Sequence, residues 1–229
     1  MAVDDSYTKV LMHFDGENGS TTFIDESGIS WTSVGGALNT TSQFKFGTAS
    51  GYLDGSNDQI YAGDTADLQL GLTFTIDFWF RAASKPGVNY RGIIDKYTGS
   101  TAGYAIYFPN SASGAISVLM GASTVINGSV DICDSNWHHV AVVGDGTYAK
   151  LYVDGTQDGS TATITGLNLN NSGHNLYIGG DGVSTLVNGN AFYIDELRIS
   201  KGIARWTSNF TPPTSAYGVI SFIPRIIML

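Results

Sequence analysis

The chain has 229 residues, with 20 acidic against 11 basic side chains, a net charge of −9 and an isoelectric point near 4.6. A surface this acidic repels phosphate backbones, which argues against nucleic-acid binding, and it suits oxygen-ligated cations such as Ca²⁺. A single cysteine, Cys133, excludes an internal disulfide framework, the four scattered histidines make no zinc spacing, and no apolar run is long enough to span a bilayer.

Met1–Asp5 lacks a basic segment leading into an apolar stretch, so no secretory signal is expected. Downstream, short strand-like runs alternate with turn clusters. Lys9–Phe14, Ser50–Asp54 and Gln59–Tyr61 come first. The clearest strand is Phe74–Arg81, where Phe74, Ile76, Phe78 and Phe80 share one face and Thr75, Asp77, Trp79 and Arg81 the other. That period of two predicts a sheet with one buried and one polar face. Gly92–Tyr97, Gly103–Phe108 and Ala115–Met120 follow. Trp137–Val143, Gly144-Asp145-Gly146, Ala149–Val153 and Asp154-Gly155 then predict a hairpin from strand and turn chemistry.

His174–Ile178 and Phe192–Ile199 are the last strands expected. In the final one Ile194, Leu197 and Ile199 do not share an alternation phase, and a β-bulge at Asp195-Glu196 accounts for the slip. The 12 Tyr, 11 Phe, 4 Trp and 29 Gly, and three Glu against seventeen Asp, fit strands and turns better than helices. About a dozen short strands predict an all-β, two-sheet antiparallel jelly-roll sandwich. We expect one domain over residues 1–217 and an apolar tail over 218–229 that packs on its own domain, a symmetry mate or a larger assembly.

Motifs for catalysis are weak. Trp137-His138-His139 places two imidazoles in sequence, but neighbouring strand residues point to opposite faces and cannot easily share a ligand. Glycoside hydrolysis needs two carboxyl groups flanking the scissile bond, and Glu17, Glu26 and Glu196 are far apart while Asp77 stands alone on its strand. There is no nucleophile elbow, and Cys133 has no electropositive neighbour to activate it. We expect no enzyme.

Several segments in order resemble the laminin-G-like branch of the concanavalin-A-like lectin/glucanase superfamily. They are Leu11–Gly16, Phe23–Gly28, Phe44–Gly47, Gly51–Leu53, Phe74–Phe80, Trp137–Ala141, Leu151–Gly155, Leu176–Gly179 and Ile194–Ile199. The stretch Asp195–Tyr217, with Arg205-Trp206-Thr207 and Phe210–Pro213, resembles laminin-G-like domains in structural proteins of tailed phages and prophages.

The resemblance implies that the first and last strands are neighbours, and that a structural Ca²⁺ joins them through Asp15, Asp25 and Asp195 with carbonyls from Gly16 and Gly28. The alternative for these acids is ordinary turn chemistry. It also implies a non-enzymatic module that displays a glycan- or receptor-binding surface on a phage particle. The aromatics singled out for that surface are Trp79, on the polar face of its strand, and Tyr90, Tyr97, Tyr104 and Tyr107 in a Gly/Ser/Asn-rich region. A second expectation is a capsid or tail decoration protein that assembles with itself or other virion proteins through residues 218–229, without a glycan ligand. A polysaccharide hydrolase is the third.

Overall fold

The computed structural model describes residues 5–87, 90–97, 102–110, 112–121, 124–170, 173–180 and 191–218. Its strands, in chain order, are β1 (Thr8–Met12), β2 (Trp31–Val34), β3 (Leu38–Thr40), β4 (Ser50–Leu53), β5 (Gln59–Ala62), β6 (Thr73–Ala82), β7 (Arg91–Asp95) and β8 (Tyr104–Phe108). They continue with β9 (Ser117–Met120), β10 (Thr124–Asn127), β11 (His138–Asp145), β12 (Tyr148–Val153), β13 (Thr156–Thr163), β14 (Leu176–Ile178) and β15 (Phe192–Lys201). One 3₁₀ turn, Ala66–Leu68, precedes β6.

Two antiparallel sheets result. Sheet A runs β13-β12-β11-β6-β15-β4-β3, with β1 also on β15, and sheet B runs β10-β9-β8-β7-β14-β5-β2. The expected jelly-roll sandwich is therefore the observed fold. Four strands were not expected from the sequence: β2, β3, β10 and β13. They stand at the ends of the two strand orders; β1, which also pairs on one side only, was expected. An edge strand pairs on one side only and buries less, so hydrophobic alternation is weakest there; β13 reads Thr-Gln-Asp-Gly-Ser-Thr-Ala-Thr.

The core lies between the sheets. Phe74, Ile76, Phe78 and Phe80 of β6, Val140 and Val142 of β11, and Ile194 and Leu197 of β15 meet Ile94 of β7, Tyr104 and Ile106 of β8, and Ile178 of β14. Each such side chain contributes about 1.5–3 kcal/mol by leaving water.

The other face of β6 departs from expectation. Thr75, Asp77 and Trp79 are buried too. Residues after β15 fold back as a strap over this face. Trp206 and Phe210 stack at 4.0 Å and pack with Ala141, Val143 and Tyr152 in a second, smaller apolar cluster. The strap is pinned by Arg205 on Asp5 (3.1 Å), by the Thr75 hydroxyl donating to the Ile203 carbonyl, and by the Phe210 amide donating to the Gly155 carbonyl. Alternation along β6 records which residues share a face, but not that a distant segment covers the second one.

The strand β15 organises sheet A. Along one side it pairs with β6. Along the other it pairs with β4 through Phe192–Ile194 and with β1 through Leu197–Ser200. First and last strands are thus neighbours, as the family resemblance implied. Opposite β6, Asp195 faces Trp79 and Arg198 faces Asp77, so the strand carries one extra residue, and Glu196 sits at φ +51°. This is the bulge expected from the phase slip.

Candidate functional site

Cross-strand register builds an aromatic row on the outer face of sheet A, beyond the reach of the strap. Leu38 of β3 faces Tyr52 of β4, Tyr52 faces Tyr193 of β15, and Tyr193 faces Arg81 of β6. The rings of Tyr52 and Tyr193 lie 4.9 Å apart, and Trp137, just before β11, approaches Tyr193 at 6.5 Å. The Arg81 guanidinium lies 5.6 Å from the Tyr193 ring centre. Tyr52, Arg81, Trp137 and Tyr193 are all half-buried, leaving part of each ring or fork in solvent. Burial, with Tyr193, Asp54 and Asp58 nearby, raises the Tyr52 phenol above its ordinary value. The row runs into Trp79, whose ring is capped by the Lys45 ammonium at 4.0 Å and edged by Phe46 at 5.8 Å.

Sequence reasoning missed Tyr52, Tyr193 and Trp137 as a group. Each stands on a different strand or loop, and only register brings them together. Trp79 was singled out from the apparent polarity of its strand face. It is 5% exposed beneath Lys45 and Phe46, so no ring face is open to a ligand.

The other singled-out aromatics lie on or beside β7 and β8. Tyr104 points inward at 2% exposure, its hydroxyl donating to the Leu68 carbonyl, and burial pushes its phenol far up. It cannot reach a ligand. The reason is phase: Tyr104, Ile106 and Phe108 share the core face, whereas Tyr107 falls on the other. Tyr90 is 72% exposed and stacks on Tyr107 at 5.8 Å, and Tyr97 is half-buried nearby. A further pair on the outer face of sheet B, Tyr61 and Tyr177, lies 5.6 Å apart with His174 against Tyr177.

The acids expected to hold Ca²⁺ do not form one set. Asp15 accepts from the Thr48 and Ala49 amides, and Asp195 accepts from the Lys45 (2.7 Å) and Phe46 (3.1 Å) amides. Both therefore clamp the loop before β4. Asp25 lies elsewhere, accepting from the Leu11 amide, the Ser27 amide and the Trp31 indole. Gly16 packs against the Asn39 side chain, and the Gly28 amide donates to the Asp25 carbonyl in a turn. N–H groups point at carboxylate oxygens that a cation would need, and among the described residues no three His, Cys, Asp or Glu side chains converge. The residues present do not fit one shared Ca²⁺ site: Asp25 matches the alternative of turn chemistry, while Asp15 and Asp195 hold a distant loop.

Two of the strongly shifted carboxyls, Asp77 and Asp195, are buried. Desolvation raises the Asp77 carboxyl, but the Arg198 charge and hydrogen bonds from His139 and Arg198 outweigh it and hold it at about 2. Arg198 bonds Asp77 at 3.1 and 2.8 Å and lies 4.0 Å over the Tyr217 ring, whose hydroxyl donates to Asp77. Asp195 is wholly buried with one oxygen unpartnered, and burial pushes its carboxyl to about 8 against the two loop amides. Glu196, turned by the bulge, accepts from the Tyr217 amide and bonds His13 at 2.8 Å, which raises the His13 imidazole. His138 bonds Asp154 and Asp134, away from His139, so the two histidines share no ligand. Asp77, Arg198, Asp195 and Glu196 thus fasten strap and loop to the sheet.

This chain belongs to the Laminin_G_3 family of the concanavalin A-like lectin/glucanases superfamily, whose model matches residues 54–205. No curated protein matches it. Among solved structures it is similar to the binding domain of Paraclostridial Mosquitocidal Protein 1, with TM-score 0.68 and 16% identity over 86% of this chain and 49% of that one. It is also similar to the binding domain of Botulinum Neurotoxin DC in complex with SialylT (TM-score 0.63, 16% identity, 85% and 48%). A third is botulinum neurotoxin type C, whose cell entry is described as dependent upon interaction with two ganglioside molecules (TM-score 0.62, 18% identity, 85% and 47%). The chain spans about half the length of each, and the likeness is one of fold. None of these three is a phage protein.

Proposed function

We propose that the chain is a non-enzymatic binding module that holds a glycan on the outer face of sheet A, against Tyr52, Tyr193 and Trp137. The observation that carries this reading is the register of β4, β15 and β6, which sets Tyr52, Tyr193 and Arg81 side by side with Trp137 at their flank. Pyranose rings present C–H faces that pack on aromatic faces, while neighbouring polar groups fix the hydroxyls. Toxin structures described with SialylT and with gangliosides lend support to the ligand class by fold analogy alone. Catalysis has less support, because the carboxyls with the largest shifts that are also buried, Asp77 and Asp195, are sealed under the strap and the Lys45–Phe46 loop.

Glycan-array screening followed by titration of the intact chain tests the reading. Trp137→Ala and Tyr193→Ala are each expected to weaken binding about tenfold or more. Tyr148→Ala, an exposed tyrosine outside the row, should leave it unchanged. Equal affinity of all three variants would refute the assigned surface. Display on a phage or prophage particle is proposed from the sequence pattern of Asp195–Tyr217, and mass spectrometry of purified particles from the source tests it. Several copies on one particle would raise avidity without new contacts.

A further inference from the structure

We infer that the Arg81 end of this platform selects anionic saccharides, sugars bearing a carboxylate or a sulfate, with Lys45 as a second cationic anchor. The inference rests on the glycan reading above and adds the charge of the ligand. In a chain of net charge −9, most cations are spoken for. Lys9, Lys85, Lys96, Arg198 and Arg205 each pair with an aspartate. Lys150 and Lys201 donate to the Thr207 and Ala66 carbonyls.

Arg81 and Lys45 differ. Neither forms an ion pair or hydrogen bond through its charged head with any described residue; each instead lies against a ring, Arg81 by Tyr193 and Lys45 over Trp79. Trp79 and Arg81 are two residues apart on β6, so the ring under Lys45 and the Arg81 side chain rise from one face of the sheet at positions about 6–7 Å apart along the strand. Two unsatisfied cations on one aromatic surface are complementary to an oxyanion on a stacked sugar. The guanidinium fork offers the bidentate geometry that carboxylate and sulfate oxygens accept.

The acids near the row do not cancel this. Asp58 is buried and accepts from the Asp54 and Gly36 amides, and Asp54 accepts from the Ser56 amide in its own turn. Asp195, beneath Lys45 and Phe46, is held toward its neutral form by burial.

The test titrates the intact chain with oligogalacturonate and its methyl ester, with heparin-derived oligosaccharides and their desulfated form, and with neutral cello- and malto-oligosaccharides. We expect the charged member of at least one pair to bind about tenfold or more tightly than its neutralised form, and to weaken from 0.05 to 0.5 M salt as screening grows. Which pair responds tells carboxylate from sulfate. Arg81→Gln should remove about tenfold of that affinity, Lys45→Gln less, and Arg81→Lys should restore part of it. If Arg81→Gln fails to fold, Lys45→Gln and the salt series decide. Equal binding of charged and neutralised forms, with Arg81→Gln unchanged but Trp137→Ala inactive, would overturn the charge selection and leave the glycan surface standing. No saccharide bound by the native chain would overturn both.

Discussion

Asp77 shows what a single buried group does for this fold. Its carboxylate meets Arg198 in a two-bond pair at zero exposure and also accepts from Tyr217. Removing one partner strands the other, and Asp77→Ala is expected to cost about 3–5 kcal/mol. The double change Asp77→Leu with Arg198→Met should cost less than Asp77→Ala alone, because no buried charge is left uncompensated. Urea denaturation of the two variants beside the native chain checks the ordering.

Protonation at the same scale sets a pH profile. Asp195 binds its proton more tightly when folded, at about 8, so its contribution is complete below about pH 4 and declines until pH reaches about 8. His13, raised by its bond to Glu196, adds a contribution present below its ordinary value and lost as pH climbs through the raised one. Asp77, held at about 2, works in the opposite sense and loses its contribution as pH falls from about 4 toward 2. Stability is therefore expected to peak at mildly acid pH. Asp195→Asn keeps an acceptor for the Lys45 and Phe46 amides and should flatten the decline between pH 5 and 8.5 in calorimetry. An unchanged slope would remove Asp195 as its source.

At the scale of elements, the hairpin β12–β13 illustrates how a turn and a distant segment constrain each other. Asp154 and Gly155 both take positive φ, +50° and +76°, the two-residue turn that matches strand twist. A Cβ on Gly155 would stand 1.9 Å from the Phe210 carbonyl oxygen, so the strap depends on that glycine as well. Gly166 has φ +81° with nothing within 4 Å of its Cβ direction. Gly166→Ala should therefore report backbone strain alone, roughly 1 kcal/mol. Gly155→Ala should cost clearly more and increase Trp206 exposure in fluorescence quenching. Similar losses in both would mean that the strap yields without penalty.

For the whole molecule, the strap makes sheet A a structure covered on both sides over its strap-facing half. It covers Ala141, Val143 and Tyr152, and its Tyr217 closes the Asp77–Arg198 pair. Ending the chain at residue 202 should expose that apolar patch and the buried ions together. The expected result is a large fall in melting temperature or insolubility, and retention of the full melting temperature would make the strap an accessory. The aromatic row containing Tyr52 and Tyr193 lies outside this cover, which is why it stays open.

The sequence by itself determined the sandwich. Alternation in Phe74–Arg81 and Trp137–Val143, turn chemistry at Asp154-Gly155 and the phase slip at Asp195-Glu196 are local signals, and all appear in the structure. The terminal strands β2, β3, β10 and β13 escaped because one-sided pairing demands little apolar pattern, although one-sided β1 kept enough of it to be read. The candidate site was less legible. Tyr104 and Trp79 were attractive by composition, yet one faces the core and the other lies under Lys45 and Phe46. Tertiary structure alone decided that Tyr52, Arg81, Trp137 and Tyr193, spread over more than 140 positions of chain, share one face. It also decided that Asp15 and Asp195 clamp a loop while Asp25 lies apart. Register across strands is a property of pairing, and a chain read residue by residue does not contain it.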